Sequence, residues 1–81
     1  NPSEFKIDPV PASDRLTVVI PASMNKVNFR IMDVTGKVLQ EEVNLAMDKN
    51  LQVDIQDFTS GLYIFEISDN RQIMRKRFIK K

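Results

Sequence analysis

The sequence predicts an all-β domain, an antiparallel β-sandwich of seven short strands, and two observations support this prediction. Apolar residues recur with a period of two along most of the chain, as in strands that bury one face. Prolines, glycines and clusters of Asp, Asn and Ser separate these alternating runs. Turn signals spaced about eight to twelve residues apart are typical of short strands that fold back on one another in two packed sheets.

Each candidate strand has its own inward-facing set of apolar residues. The seven strands are predicted at Glu4–Ile7, Arg15–Ile20, Lys26–Asp33, Lys37–Leu45, Leu51–Ile55, Leu62–Ser68 and Arg71–Ile79. Their clearest inward sets are Leu16, Val18 and Ile20; Val27, Phe29 and Ile31; Leu51, Val53 and Ile55; and Tyr63, Phe65 and Ile67. Such alternation predicts that each strand lies over a shared core.

Two of the strands have a less regular pattern. In the fourth, Leu39, Val43 and Leu45 are the predicted inward residues, with Glu41 interrupting the row. The seventh has no clean inner face, which favours a bulge or an edge position in its sheet.

The segments between the strands have the residues that tight turns require. Residues 33–37 predict a hairpin in which Gly36 adopts a positive φ beside a bulge. A second hairpin is predicted at residues 68–71, and residues 58–61 turn the chain into the Tyr63 strand. Pro9 and Pro11 make the early segment extended, and residues 12–14 then form a tight turn.

Composition excludes most chemistry. The 81 residues include no His and no Cys, so the chain cannot contain a His-dependent nucleophile, a usual zinc site or a disulfide. Glu41 and Glu42 would point to opposite faces of a strand, and Asp54 and Asp57 lack an EF-hand pattern. We therefore expect no enzyme, no metal and no cofactor, and no apolar run is long enough for a membrane span.

The charges are distributed unevenly. The net charge is +1, yet residues 71–81 hold six basic side chains and no acid, while residues 1–70 hold six basic and eleven acidic ones. This segment could be the solvated face of a strand or a docking end for an acidic partner. Nucleic acid is a poor candidate, because the rest of the chain would repel phosphates.

Several motifs follow one another in the order of a known family. A proline-containing opening precedes Ala12-Ser13-Asp14, then Ile-Met-Asp-Val-Thr-Gly-Lys at 31–37, Thr-Ser-Gly-Leu-Tyr-Ile at 59–64, and Arg-Phe-Ile-Lys-Lys at 77–81. Together they resemble the C-terminal sorting domain (type A) of the type IX, or Por, secretion system of Bacteroidetes. The family's usual Tyr-Pro-Asn-Pro opening is replaced by Ile-Asp-Pro-Val-Pro at 7–11.

The resemblance implies a non-catalytic signal with an immunoglobulin-like, seven-stranded fold. Residues 1–81 would be a single sorting domain from a larger exported protein, joined in cis to N-terminal cargo domains. Such a domain directs the folded cargo from the periplasm across the outer membrane, to the cell surface or the medium. Its implied partners are the outer-membrane translocon and a surface sortase, which removes the domain as the cargo is attached to anionic lipopolysaccharide.

The resemblance also indicates which residues matter. The terminal motif and its basic neighbourhood predict the surface that the translocon or sortase recognises: Arg75, Arg77, Phe78, Ile79, Lys80 and Lys81. The internal motifs predict residues that shape the fold: Pro9, Pro11, Asp14, Asp33, Gly36, Lys37, Gly61 and Tyr63. An immunoglobulin- or fibronectin-like adhesive or spacer module is the alternative, and the sequence leaves the oligomeric state and the cargo open.

Overall fold

Seven strands account for most of the chain that the structure describes. A computed structural model describes residues 6–8, 14–20, 24, 26–46 and 50–81, and no helix occurs among them. The strands are β1 (Lys6–Asp8), β2 (Arg15–Val19), β3 (Lys26–Asp33), β4 (Val38–Ala46), β5 (Asn50–Asp54), β6 (Gly61–Ser68) and β7 (Ile73–Lys80). Their number and order agree with the sequence prediction, and most of their ends lie within two residues of it.

The strands form two antiparallel sheets. The smaller sheet has the order β1-β2-β5, and the larger sheet has the order β4-β3-β6-β7. The chain crosses between the sheets from β2 to β3, from β4 to β5 and from β5 to β6. This is the seven-stranded immunoglobulin-like sandwich, in the version whose fourth strand lies beside the third. The predicted fold class is confirmed.

The core lies between the inner faces of the two sheets. Leu16 and Val18 from the smaller sheet, and Phe29 and Phe65 from the larger sheet, are almost completely buried. The rings of Phe29 and Phe65 stack with their centroids 5.3 Å apart. Full burial of each such side chain contributes about 1.5–3 kcal/mol, so this core is the main source of stability.

β4 departs from its predicted pattern. Leu39 is 40% exposed and Val43 is 59% exposed, so their prediction as inward residues is wrong. The pairing with β3 shifts register twice. At the first shift, Ile31 lies opposite Gln40 whereas Met32 lies opposite Val38. The second shift lies between Val27 and Phe29. Each bulge adds one residue to β4 and reverses which side chains face the core.

Both predicted hairpins are present. Gly36 has φ of 90°. Its N–H donates to the Asp33 carbonyl at 3.0 Å, and this hydrogen bond closes the turn. In the second hairpin, the Asp69 N–H donates to the Gln72 carbonyl at 3.0 Å. Pro9 and Pro11, and Glu4 and Phe5 of the first predicted strand, lie outside the described residues.

Candidate recognition surface

β7 is an edge strand of the larger sheet, as its sequence predicts. Among the described strands only β6 pairs with it, and the register runs without a shift from Gly61 opposite Lys80 to Ser68 opposite Ile73. The bulge that was the other explanation for its irregular pattern is therefore absent from this pairing. No described strand covers its other side, so the backbone there can pair with a partner strand.

The side chains of β7 divide between the two faces of the sheet. Phe78 lies opposite Tyr63 and is only 1% exposed, so its ring belongs to the core. Arg75, Arg77 and Ile79 alternate with it and lie on the outer face. Among the predicted recognition residues, these three share a surface, whereas Phe78 faces the opposite way.

The remaining residues of the predicted recognition surface lie at the end of the strand. Lys80 is half-buried opposite Gly61, and Lys81 is exposed. The Lys80 ammonium donates to the Lys81 carbonyl at 3.5 Å. These two lysines extend the positive charge of β7 beyond Ile79.

Glu66 is a feature of this surface that the sequence alone did not reveal. Its side chain is 5% exposed, although it points away from the main core, and it lies in register between Arg30 of β3 and Arg75 of β7. The Arg30 Nη2 atom is 2.6 Å from Glu66 Oε1, and Arg75 Nε is 2.8 Å from Oε2. A cross-strand ion triad thus joins β3, β6 and β7.

The triad sets the ionisation of Glu66. Burial raises the pKa of this carboxyl, but the hydrogen bonds from Arg30 and Arg75 together with their positive charges outweigh burial and hold the pKa below its ordinary value of 4.5. Glu66 is therefore ionised at neutral pH. Arg75 belongs partly to this structural triad, so only part of its charge is available to a partner.

The motif at residues 33–37 acts within its own turn. Asp33 Oδ1 accepts hydrogen bonds from the Thr35 N–H at 2.9 Å, the Thr35 hydroxyl at 2.6 Å and the Lys37 N–H at 3.1 Å. The hydrogen bond from the Thr35 hydroxyl is the main reason that the pKa of Asp33 lies below 3.8. The contacts of Asp33, Gly36 and the backbone of Lys37 therefore lie within the hairpin itself.

Gly61 and Tyr63 form the second internal motif. Tyr63 is 6% exposed, and its hydroxyl donates to the Thr59 carbonyl at 2.6 Å. Its ring packs against Phe58 and Phe78, with centroids 5.1 Å and 5.7 Å away. A Tyr at the start of the sixth strand that bonds to backbone a few residues earlier is the tyrosine corner of immunoglobulin-like folds. Gly61, at φ of 152°, precedes it in a region that L residues rarely adopt.

Asp14 contributes through its backbone. Its carbonyl accepts a hydrogen bond from the Ile55 N–H at 2.9 Å, and this bond extends the pairing of β2 with β5.

The acidic pair Asp54 and Asp57 does not form a metal site with a third described ligand. The Asp54 Oδ1 atom accepts a hydrogen bond from the Gln56 N–H at 2.9 Å. Among the described residues there is no group of three acidic, His or Cys side chains able to hold a metal ion.

The fold and the surface together define a class of protein. This is a small immunoglobulin-like domain, whose seventh strand presents basic and aliphatic side chains at an edge that no described strand covers. The family model of the secretion system C-terminal sorting domain matches residues 6–81. The chain therefore belongs to the family of type IX secretion C-terminal sorting domains.

Family membership establishes the function at a general level. The domain is a sorting signal, which implies cargo in cis, a type IX secretion system and export toward the cell surface or the medium. No curated protein matches the chain. Within the described part of the chain, no helix is long and apolar enough to cross a membrane.

Proposed function

We propose that residues 1–81 form one sorting domain and that the translocon recognises it through β7. Its outer side chains Arg77 and Ile79, with Lys80 and Lys81 beyond them, would make the recognition contacts. A surface sortase would then remove the domain while the cargo is attached to anionic lipopolysaccharide. The adhesive or spacer alternative gains no specific support from this surface, and family membership favours sorting.

One observation carries this proposal: β7 combines an edge that no described strand covers with two exposed outer side chains, those of Arg77 and Ile79. Ile79 is 51% exposed. The Arg77 side chain is exposed, and its guanidinium makes no hydrogen bond or ion pair with any described residue. By contrast, the charges of Arg30 and Glu66 are engaged within the sheet. A cation without a structural partner is available to bind a carboxylate of another protein.

The location of these groups suits a signal shared by unrelated cargoes. A translocon that accepts many cargoes must recognise the sorting domain and not the cargo. An open strand edge provides backbone hydrogen-bonding groups, which every such domain can offer. Side chains on the adjacent face then supply selectivity, as in other cases of strand addition. The cargo itself does not need to contribute.

Phe78 has a different role in this proposal. Because its ring is buried against Tyr63, it would hold β7 on the sheet, and only its neighbours would contact the translocon. Removing a buried Phe costs about 3–5 kcal/mol. Deleting residues 77–81 would therefore combine lost recognition with lost stability, and point substitutions are the better test.

The test compares two charge reversals in a reporter fused to the N-terminus of the domain. Arg77→Glu changes the proposed contact, while Arg71→Glu makes the same change in net charge at an exposed position before β7. Removing one partner of a charge pair that becomes buried in an interface weakens binding by about 2–5 kcal/mol, or more than about tenfold. We expect delivery to the cell surface to fall at least about tenfold for Arg77→Glu and to change little for Arg71→Glu.

Equal delivery of both variants would refute recognition through Arg77. The fate of the tag is measured in the same cells by mass spectrometry of the surface reporter. Sortase processing predicts a reporter that lacks the domain and carries lipopolysaccharide in the native strain, and an intact fusion in a sortase-deficient strain. An intact fusion in both strains would contradict the processing step.

A further inference from the structure

The outer face of the larger sheet has an apolar region that crosses all four of its strands. Val38, Met32 and Ile64 lie in register across β4, β3 and β6. Leu62 lies two residues from Ile64 along β6 and pairs with Ile79 of β7. Paired residues and those two positions apart along a strand share a face of the sheet. These five side chains form the apolar stripe.

The apolar stripe is accessible. Val38 and Leu62 are each 40% exposed, and Ile79 is 51% exposed. Met32 is only 9% exposed and lies beneath its neighbours in the stripe. The outer face of an antiparallel sheet in a sandwich is usually polar, because it meets water. A contiguous group of exposed aliphatic side chains on that face is therefore a candidate for a protein-binding surface.

Charged residues border the stripe in a defined way. Arg77 pairs with Ile64 and thus completes the first row at the β7 edge. The next row holds Arg30, Glu66 and Arg75, whose ion triad separates the stripe from Ile73 at the far end of β7. An apolar centre with a free arginine at its rim has the composition of a protein-binding surface.

We propose that the apolar stripe is a docking surface for a protein partner that presents aliphatic side chains next to a carboxylate, with the carboxylate bound by Arg77. This inference rests on the proposed function and deepens it, since it adds Val38, Leu62 and Ile64 to the surface that the export machinery reads. Charge complementarity to Arg77 selects an acidic partner.

A protein suits this face better than a membrane surface does. Proteins that sit at the membrane interface use Trp and Tyr as anchors. The described aromatic residues here pack in or against the core: Phe29, Phe58, Tyr63, Phe65 and Phe78. The exposed residues of the stripe are aliphatic, and they lie flat on a sheet, as in a protein interface.

The experiment compares two double variants in the reporter fusion. Leu62→Thr with Ile79→Thr removes aliphatic surface from the stripe, whereas Val19→Thr with Ile73→Thr removes it from positions of similar exposure, at 41% and 59%, outside the stripe. Thr is β-branched, a shape that strands favour. We expect surface delivery to fall at least about tenfold, equivalent to about 1.4 kcal/mol of binding, for the stripe variant alone.

A photo-crosslinking residue at Ile79 or at Ile73 provides a second measurement that does not depend on the stability of the double variants. The inference predicts a covalent adduct with a translocon protein from position 79, lost in Arg77→Glu, and no such adduct from position 73. Adducts with a second copy of the domain or with lipid, and none with a translocon protein, would overturn it.

The failure of this inference is distinguishable from failure of the proposed function. If the unsubstituted fusion reaches the surface and the stripe variant does so equally well, the stripe is not a docking surface although the domain is a sorting signal. If the unsubstituted fusion stays in the periplasm of a competent strain, the proposed function is wrong and this inference is wrong with it.

Discussion

Replacing Glu66 by Gln is the sharpest test of how the larger sheet is held together. The substitution keeps the size of the side chain and removes its charge. An amide offers one acceptor oxygen, so its nitrogen must face a guanidinium that is itself a donor. Either Arg30 or Arg75 therefore loses its hydrogen bond, and the other loses its charge partner.

The magnitude follows from the exposure of the three side chains. Hydrogen bonds to charged groups contribute about 1.5–3 kcal/mol when buried, whereas exposed ion pairs contribute about 0.2–1 kcal/mol. Glu66 is 5% exposed, but Arg30 and Arg75 are 39% and 61% exposed, which places the triad between these limits. We expect a loss of about 1–3 kcal/mol, and about 4–8 °C in Tm for each kcal/mol in a domain of this size.

The assay is thermal unfolding followed by circular dichroism, with Glu41→Gln as the matched control. Glu41 lies opposite Arg30 in the same row, but it is exposed, so its loss should change stability by less than about 0.5 kcal/mol. Equal Tm values for the two variants would refute the assignment of the triad as a stabilising element.

The pH dependence of the same pair of proteins has a definite sign. The pKa of Glu66 in the folded domain lies below its ordinary value of 4.5, so the folded state favours the ionised carboxylate. Its contribution to stability is present above pH 4.5 and disappears as the pH falls through the lower, folded-state pKa. The Tm difference between the parent and Glu66→Gln should therefore shrink below pH 4.5, and a difference that grows there would contradict this account.

Three further predictions concern the internal motifs, and thermal unfolding checks each of them. Tyr63→Phe removes the hydrogen bond to Thr59 while keeping the ring, so it should cost about 1 kcal/mol, and an unchanged Tm would contradict a tyrosine corner. Gly36→Ala should cost about 1–2 kcal/mol through its positive φ alone, because nothing lies within 4 Å of the added carbon; Gly36→Asn should cost less, and the reverse order would refute this explanation. Asp33→Asn should lower Tm at neutral pH and match the parent once the pH is well below 3.8, since the pKa of Asp33 is lowered in the hairpin; a constant difference would exclude a role for its charge.

The alternation of apolar residues was sufficient to predict the sandwich and most of its core. Leu16, Val18, Phe29, Phe65 and Ile67 are all buried as expected. In these strands successive residues alternate between the two faces of the sheet without interruption. Whether a residue faces the core therefore follows from its position in the alternation. The irregular pattern of β7 also had a correct physical interpretation, because an edge strand needs only a partly buried inner face.

β4 could not be predicted in the same way. Beyond a bulge, every residue lies on the face of the sheet opposite to the one that simple alternation predicts. No Gly or Pro marks either register shift in this strand. The two shifts leave Leu39 and Val43 exposed and bring Gln40 opposite Ile31. Only the pairing with β3 reveals them, because a bulge depends on both strands.

The candidate site was predicted in part. The basic character of β7 is visible in the sequence, but the division of its side chains between two faces is not. Phe78 and Ile79 are adjacent apolar residues, and the register against Tyr63 and Leu62 places one in the core and the other on the surface. The triad around Glu66 joins residues 36 and nine positions apart, so its only sequence signal is an acid within an otherwise apolar strand.

As a sorting signal, this domain should be sufficient to direct a folded protein to the cell surface. The most direct measurement fuses residues 1–81 to the C-terminus of a periplasm-targeted fluorescent protein, and expresses the fusion in a type IX-competent bacterium and in a translocon-deficient strain. We predict fluorescence at the surface or in the medium of the competent strain alone. Fluorescence confined to the periplasm of both strains, with the domain folded, would contradict the claim and favour an adhesive or spacer module.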